Sequence, residues 1–140
     1  MVIQRWQSVF LLLAAIFMAI FCFVPTAHLY ADATLIAHIR PVNYPVFLTI
    51  NVLIAVLLFI AIFLYKNMKR QKTVTLVSMM LIAVSGVCGG FILYGGDNGG
   101  GRIEMGGSVV LLIGALVAAL MAYRHIRKDE NLLKSYDRLR

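Results

Sequence analysis

Four apolar runs, residues 8–24, 46–65, 74–94 and 108–123, occupy most of the chain, and none contains Asp, Glu, Lys, Arg or His. A helix rises ~1.5 Å per residue, so runs of this size reach ~25–30 Å, about the hydrocarbon thickness of a bilayer. With 61% hydrophobic and 14% charged residues, a soluble domain would expose large apolar patches. The predicted fold class is therefore all-α: an integral membrane, antiparallel bundle of four transmembrane helices. Nothing between the runs resembles a linker between two cores, so residues 1–140 are read as a single membrane domain.

The net charge of +7 matters for where it sits. Arg5 precedes the first run. Lys66, Lys69, Arg70 and Lys72 lie between the second and third. Arg124, Arg127, Lys128, Lys134, Arg138 and Arg140 follow the fourth. The alternate loops, 25–45 and 95–107, carry only Arg40 and Arg102. Lys and Arg accumulate in short cytoplasmic loops, so both termini are predicted to be cytoplasmic. Lys66, Lys69, Arg70, Arg124, Arg127, Lys128 and Arg138 are then the residues expected to meet lipid headgroups or a cytoplasmic partner. A nucleic-acid partner is not expected, because no basic stripe is interleaved with aromatic residues.

The first run raises the question of a cleaved leader. Arg5 gives a weak positive n-region, Pro25 ends the run, and Ala31-Asp32-Ala33 has the small-x-small form of a cleavage site. The run is longer than a usual leader core of ~7–15 residues, and the small-x-small site lies well beyond its end. A retained first span is expected. Cys22 and Cys88 both fall inside apolar runs and form no C-x-x-C pair. Buried free thiols are the reading, although a disulfide between them is geometrically conceivable.

Helix-packing devices are concentrated in the third and fourth runs. Ser85/Gly89 and Gly86/Gly90 are small pairs four residues apart, and Gly114, Ala118 and Ala122 form a similar stripe. Such spacing lets a neighbouring helix approach closely in lipid. Helices 3 and 4 are expected to pack tightly, on each other or on a partner. The second run has few small residues and is expected to face lipid broadly. Within it, Asn51 needs a polar partner, with helix-to-helix bonding preferred over a ligand contact.

The loop 25–45 mixes polar residues with Leu29, Tyr30, Leu35, Ile36 and Ile39. It is expected to form a short interfacial helix or a folded loop lying on the bundle. On a helix, His28 and Asp32 would share a face and His38 would be off it, so no metal site is expected there. The stretch Gly95-Gly96-Asp97-Asn98-Gly99-Gly100-Gly101 reads as a mobile turn, lacking the Gly-Lys-Ser/Thr of a phosphate loop. The tail 124–140 is expected to continue the fourth helix into the cytoplasm.

No ionisable group lies within the runs, whereas proton-coupled transporters generally bury Asp, Glu or His. No nucleophile–base pair and no intramembrane histidine pair for haem is visible. Neither an enzyme nor a cofactor is expected.

Three segments carry a resemblance. The first is Ile3-Gln4-Arg5 with Gln7-Ser8 and Leu11-Leu12-Leu13-Ala14-Ala15. The second is Leu64-Tyr65-Lys66-Asn67 with Lys69 and Gln71. The third is Ile126-Arg127-Lys128-Asp129-Glu130 with Asp137-Arg138-Leu139-Arg140. Together they resemble an uncharacterised family of small four-span membrane proteins of Bacteroidetes-type bacteria, a domain of unknown function. The resemblance implies an inner-membrane protein that keeps its first helix, and it supplies no catalytic or binding residues. The expected function is an accessory or scaffold subunit packing against a larger inner-membrane complex. The competing expectation is a self-contained, homo-oligomeric channel or transporter for a neutral or apolar solute.

Overall fold

In the computed structural model, residues 2–95 and 101–139 are described, with side chains from Trp6 onward. Four helices span α1 (Val2–Phe23), α2 (Pro45–Phe63), α3 (Met68–Gly95) and α4 (Ser108–Arg138). Each is long and apolar enough to cross a membrane, and the chain is a multi-pass membrane protein. Pro25 follows the end of α1, where its missing amide proton and fixed φ oppose a continued helix. Pro45 opens α2 at its first turn, where no amide is needed. A single 3-10 turn, Leu64–Lys66, reverses the chain between α2 and α3. The helices run up, down, up, down, in a closed ring in which α1 touches both α2 and α4, and α3 closes the other side.

The expected helix or loop over 25–45 is instead a β-hairpin, so the all-α reading describes only the bundle. Strands β1 (Ala27–Ala31) and β2 (Thr34–Ile39) pair antiparallel, and β3 (Arg102–Met105) adds to the other edge of β1. The sheet order is β2-β1-β3. Thr34, Ile36 and Ile39 are β-branched, and their stiff side chains suit a strand better than a helix. Ala31 pairs with Thr34, leaving a two-residue turn, Asp32-Ala33, with φ of 47° and 67°. Positive φ at both central residues is the hairpin turn whose twist matches paired strands. Because β3 belongs to the α3–α4 connection, both connections at this end of the bundle are joined in one sheet. The glycine turn expected to be mobile falls largely on residues 96–100, outside the described residues.

The packing is inverted relative to a soluble bundle, as lipid demands. On α3 the buried positions are Gln71, Thr75, Ser78, Ile82, Ser85, Gly89 and Leu93. Its large apolar residues, such as Val84, Val87 and Phe91, point outward. Polar groups facing inward and apolar groups facing outward minimise unsatisfied hydrogen bonds in hydrocarbon. Between them lies a core that includes Leu11, Met18, Phe21, Ile54, Leu58 and Ile82, completed by the small residues Ala115, Ala119 and Ala122.

Candidate functional site

The small-residue stripes are used inside the bundle. Asn51 on α2 is fully buried; its Nδ2 donates to the Phe47 carbonyl at 2.7 Å, and its Oδ1 accepts from Ser85 Oγ at 2.7 Å. The amide thus ties α2 to α3. Gly89 accepts the Phe47 ring, 3.3 Å from where a Cβ would stand, and Gly86 faces Leu112 of α4 at 3.4 Å. Gly90 has no such neighbour within 4 Å. On α4, Gly114 receives Phe17 of α1 at 3.1 Å, while Ala118 and Ala122 are buried. The two stripes therefore admit aromatic side chains from α2 and α1, in addition to the α3–α4 contact at Gly86. A cavity of about 120 Å³ remains beside Ser85, Gly86, Gly89 and Gly90, roofed by Thr26 and Met105.

An open apolar surface lies between α1 and α2. A groove of about 640 Å³ is lined by side chains that include Leu12, Ala15, Ala19, Val52, Ala55 and Phe59. Its floor is low because three lining positions are alanine, and its walls are the larger residues on either side. Sequence reasoning passed over this face, although Ala15 and Ala19 are a small pair four residues apart. That reasoning also read α2 as broadly lipid-facing, without the recess at Ala55.

The end of the bundle away from the sheet is polar and charged. Lys66, Lys69, Arg70, Arg124, Arg127, Lys128 and Arg138 are all exposed there. None of these seven forms an ion pair among the described residues. Beneath them, Gln7 of α1 hydrogen-bonds Asp129 of α4 through Nε2. Lys72 of α3 bonds Glu130 at 2.9 Å, and Lys134 reaches the same carboxylate at 3.1 Å. Asp129 lies roughly 31 Å along α4 from Ser108, past a hydrocarbon layer of about 30 Å. Burial pushes its carboxyl above the ordinary range, against the lowering influence of His125 and Lys128. Hydrogen bonds from Lys72 and Lys134 hold Glu130 below that range. Gln71, adjacent to Lys72 and fully buried, has neither amide atom bonded, and Asp129 Oδ1 is also unpartnered. Sequence reasoning missed Asp129 as a buried group because Lys128 and Glu130 beside it read as a solvated face.

His125 stacks on Phe10, ring centroids 5.5 Å apart. Cys22 and Cys88 are both free thiols. At the sheet end, His28 and His38 face each other across two strands with their Nδ1 atoms 2.8 Å apart. Sequence reasoning separated them only for the helical alternative, in which His38 falls off the face that carries His28. Asp32, in the turn, is four residues from His28, about 13 Å along an extended chain. Among the described residues, no three His, Cys, Asp or Glu side chains form a group that could hold a metal ion.

Comparison with curated proteins finds no match, and comparison with solved structures finds none either. A family model described as "Domain of unknown function (DUF4293)" matches residues 3–139.

Proposed function

The chain belongs to the DUF4293 family, and from its own geometry we propose that it is a small accessory or scaffold subunit of the bacterial inner membrane. It has both termini in the cytoplasm and no catalytic activity of its own. The observation that carries the reading is the open groove between α1 and α2. Membrane helices associate through close van der Waals packing at small residues, and Ala15, Ala19 and Ala55 supply such a seat for one transmembrane helix of a larger partner. Gly86, Gly89 and Gly114 are occupied internally and a small cavity stays open beside Gly90, which favours this larger face as the place for a partner. The seven exposed, unpaired basic residues at the opposite end from the sheet support a cytoplasmic assignment for that end.

A passage for a neutral solute has one observation in its favour, the inward polar column of α3. Apart from Gln71, whose amide is unbonded, that column is used up by internal bonds: Thr75 Oγ1 donates to the Gln71 carbonyl, Ser78 Oγ to the Val74 carbonyl, and Ser85 to Asn51. Ile82 interrupts it, packed in the same core as Ile54 and Leu58.

The test is purification in mild detergent at native expression level, with co-purifying proteins identified by mass spectrometry. A stoichiometric larger partner is expected with the natural chain and absent with Ala19→Phe, which fills the groove from an exposed position. A homo-oligomer with nothing else attached would overturn the subunit reading. Effort would then turn to solute flux in liposomes, with Ile82→Gly expected to raise it.

A further inference from the structure

The sheet places three side chains that bind metals in one transverse row. His28 on β1 is the direct cross-strand partner of His38 on β2 and of Glu104 on β3. Directly opposed residues in an antiparallel ladder project from the same face, with Cβ atoms ~4.5–5.5 Å apart. His38, His28 and Glu104 therefore share one face in that order. The two imidazoles already converge: their Nδ1 atoms are 2.8 Å apart and the rings stand at 80°. Glu104 is exposed and forms no hydrogen bond or ion pair among the described residues.

We propose that His28 and His38 form a two-imidazole clamp for a divalent transition-metal ion such as Zn²⁺ or Cu²⁺, with Glu104 as the third protein ligand. Zinc–nitrogen bonds are ~2.0–2.1 Å. A tetrahedral ion therefore holds two nitrogens roughly 3.3 Å apart, so opening the present pair by about half an ångström admits the ion. Imidazole with one carboxylate is a donor set for zinc, copper or nickel rather than for calcium or magnesium. In the arrangement seen, the three side chains do not form a group that could hold an ion, so the site is completed only once Glu104 turns toward the imidazole pair. Rotation of the unbonded Glu104 side chain brings its carboxylate toward His28, and water completes the coordination.

The clamp also has a defined proton balance. In the present pair one ring donates its Nδ1 proton to the other ring's Nδ1. Coordination needs both Nδ1 lone pairs, so the donor ring moves that proton through solvent to Nε2. No net proton is released from two neutral rings, and no redox change is involved. The ion would connect all three strands, and through β3 the two halves of the bundle.

The experiment is titration of the chelator-stripped, full-length protein in detergent with Zn²⁺ alone, using a chromophoric competitor and a purification tag without histidine. One saturable site per chain is expected. H28A and H38A should each weaken it at least about tenfold, a loss of ~1.4 kcal/mol, and E104Q should weaken it by less. H125A, at the other end of the bundle, should bind as the natural chain does. Blocking Cys22 and Cys88 with a thiol reagent should leave the site intact. The natural chain should also gain thermal stability with Zn²⁺, and H38A should not, while both share the same helical circular dichroism. Absence of a saturable site in the natural protein, or full binding in correctly folded H28A and H38A, would overturn the proposal.

Discussion

Ser85 donates its hydroxyl proton to Asn51 across the α2–α3 interface, with both side chains fully buried. In lipid neither group has water as an alternative, so the pair acts as a unit. Asn51→Leu and Ser85→Ala should each lower bundle stability by roughly 0.6–1.7 kcal/mol. The double variant should lose little more than the worse single one. Reversible unfolding in mixed micelles measures this, and fully additive losses would show that the two residues are not coupled.

Gly106 lies where the α3–α4 connection crosses the end of α1. Its amide donates to the Thr26 carbonyl at 2.8 Å, and a Cβ there would stand 2.5 Å from the Pro25 carbonyl oxygen. Backbone cannot step aside as a side-chain tip can. Gly106→Ala should destabilise the protein by ~1–3 kcal/mol, the usual range for overpacking. Gly90→Ala, with open space around it, should stay within ~0.5 kcal/mol. Melting temperatures of the two variants, compared side by side, test the contrast.

Ala33 has a φ of 67°, a conformation that disfavours a Cβ by roughly 1–2 kcal/mol. Glycine removes that strain but loses about 0.5–1 kcal/mol through its freer unfolded chain. The difference favours glycine, so Ala33→Gly should raise stability by some 0.5–1 kcal/mol. Greater amide-exchange protection in β1 and β2 would accompany it. A fall in stability would contradict the strained-turn account.

Asp129 and Glu130 should respond to pH in opposite directions. The lowered Glu130 carboxyl contributes stability above the ordinary carboxylate range, and this is lost as pH falls through its depressed value. E130Q should therefore lose about 0.5–1 kcal/mol near neutrality, less at high salt, and nothing in acid. Asp129 holds its proton more tightly when folded, so its charge reduces stability as pH rises through the raised value. D129N should be more stable than the natural chain at neutral pH and equal to it in acid. Melting curves from acid to neutral pH, at low and high salt, separate the two.

The helices were legible because span length and charge exclusion are local properties of the chain. The sheet was not, for reasons that lie in particular residues. The hairpin turn uses Asp32 and Ala33, so it lacks the glycine that normally marks positive φ in sequence. The third strand, Arg102–Met105, is contributed by a different loop, and its pairing with Ala27–Tyr30 is a tertiary event that periodicity cannot reveal. The same gap hid the meeting of His28 and His38. The packing stripes at Ser85 and Gly114 were visible, but which partner fills them was not: a glycine states that something comes close, and only the fold shows that it is Phe47 or Phe17. Asp129 was hidden by its charged neighbours, since burial of one carboxylate within a basic segment depends on the neighbouring α1.

The central position of β1, paired on both edges, ties the two connections at one end of the bundle together through backbone bonds. At the other end α2 and α3 are joined by the short turn Leu64–Lys66, while side chains hold the rest, through the Gln7–Asp129 contact between α1 and α4 and the Lys72–Glu130 ion pair between α3 and α4. Salt and acidity act on those side-chain contacts and leave a backbone ladder untouched. The two ends of the bundle therefore loosen under different conditions.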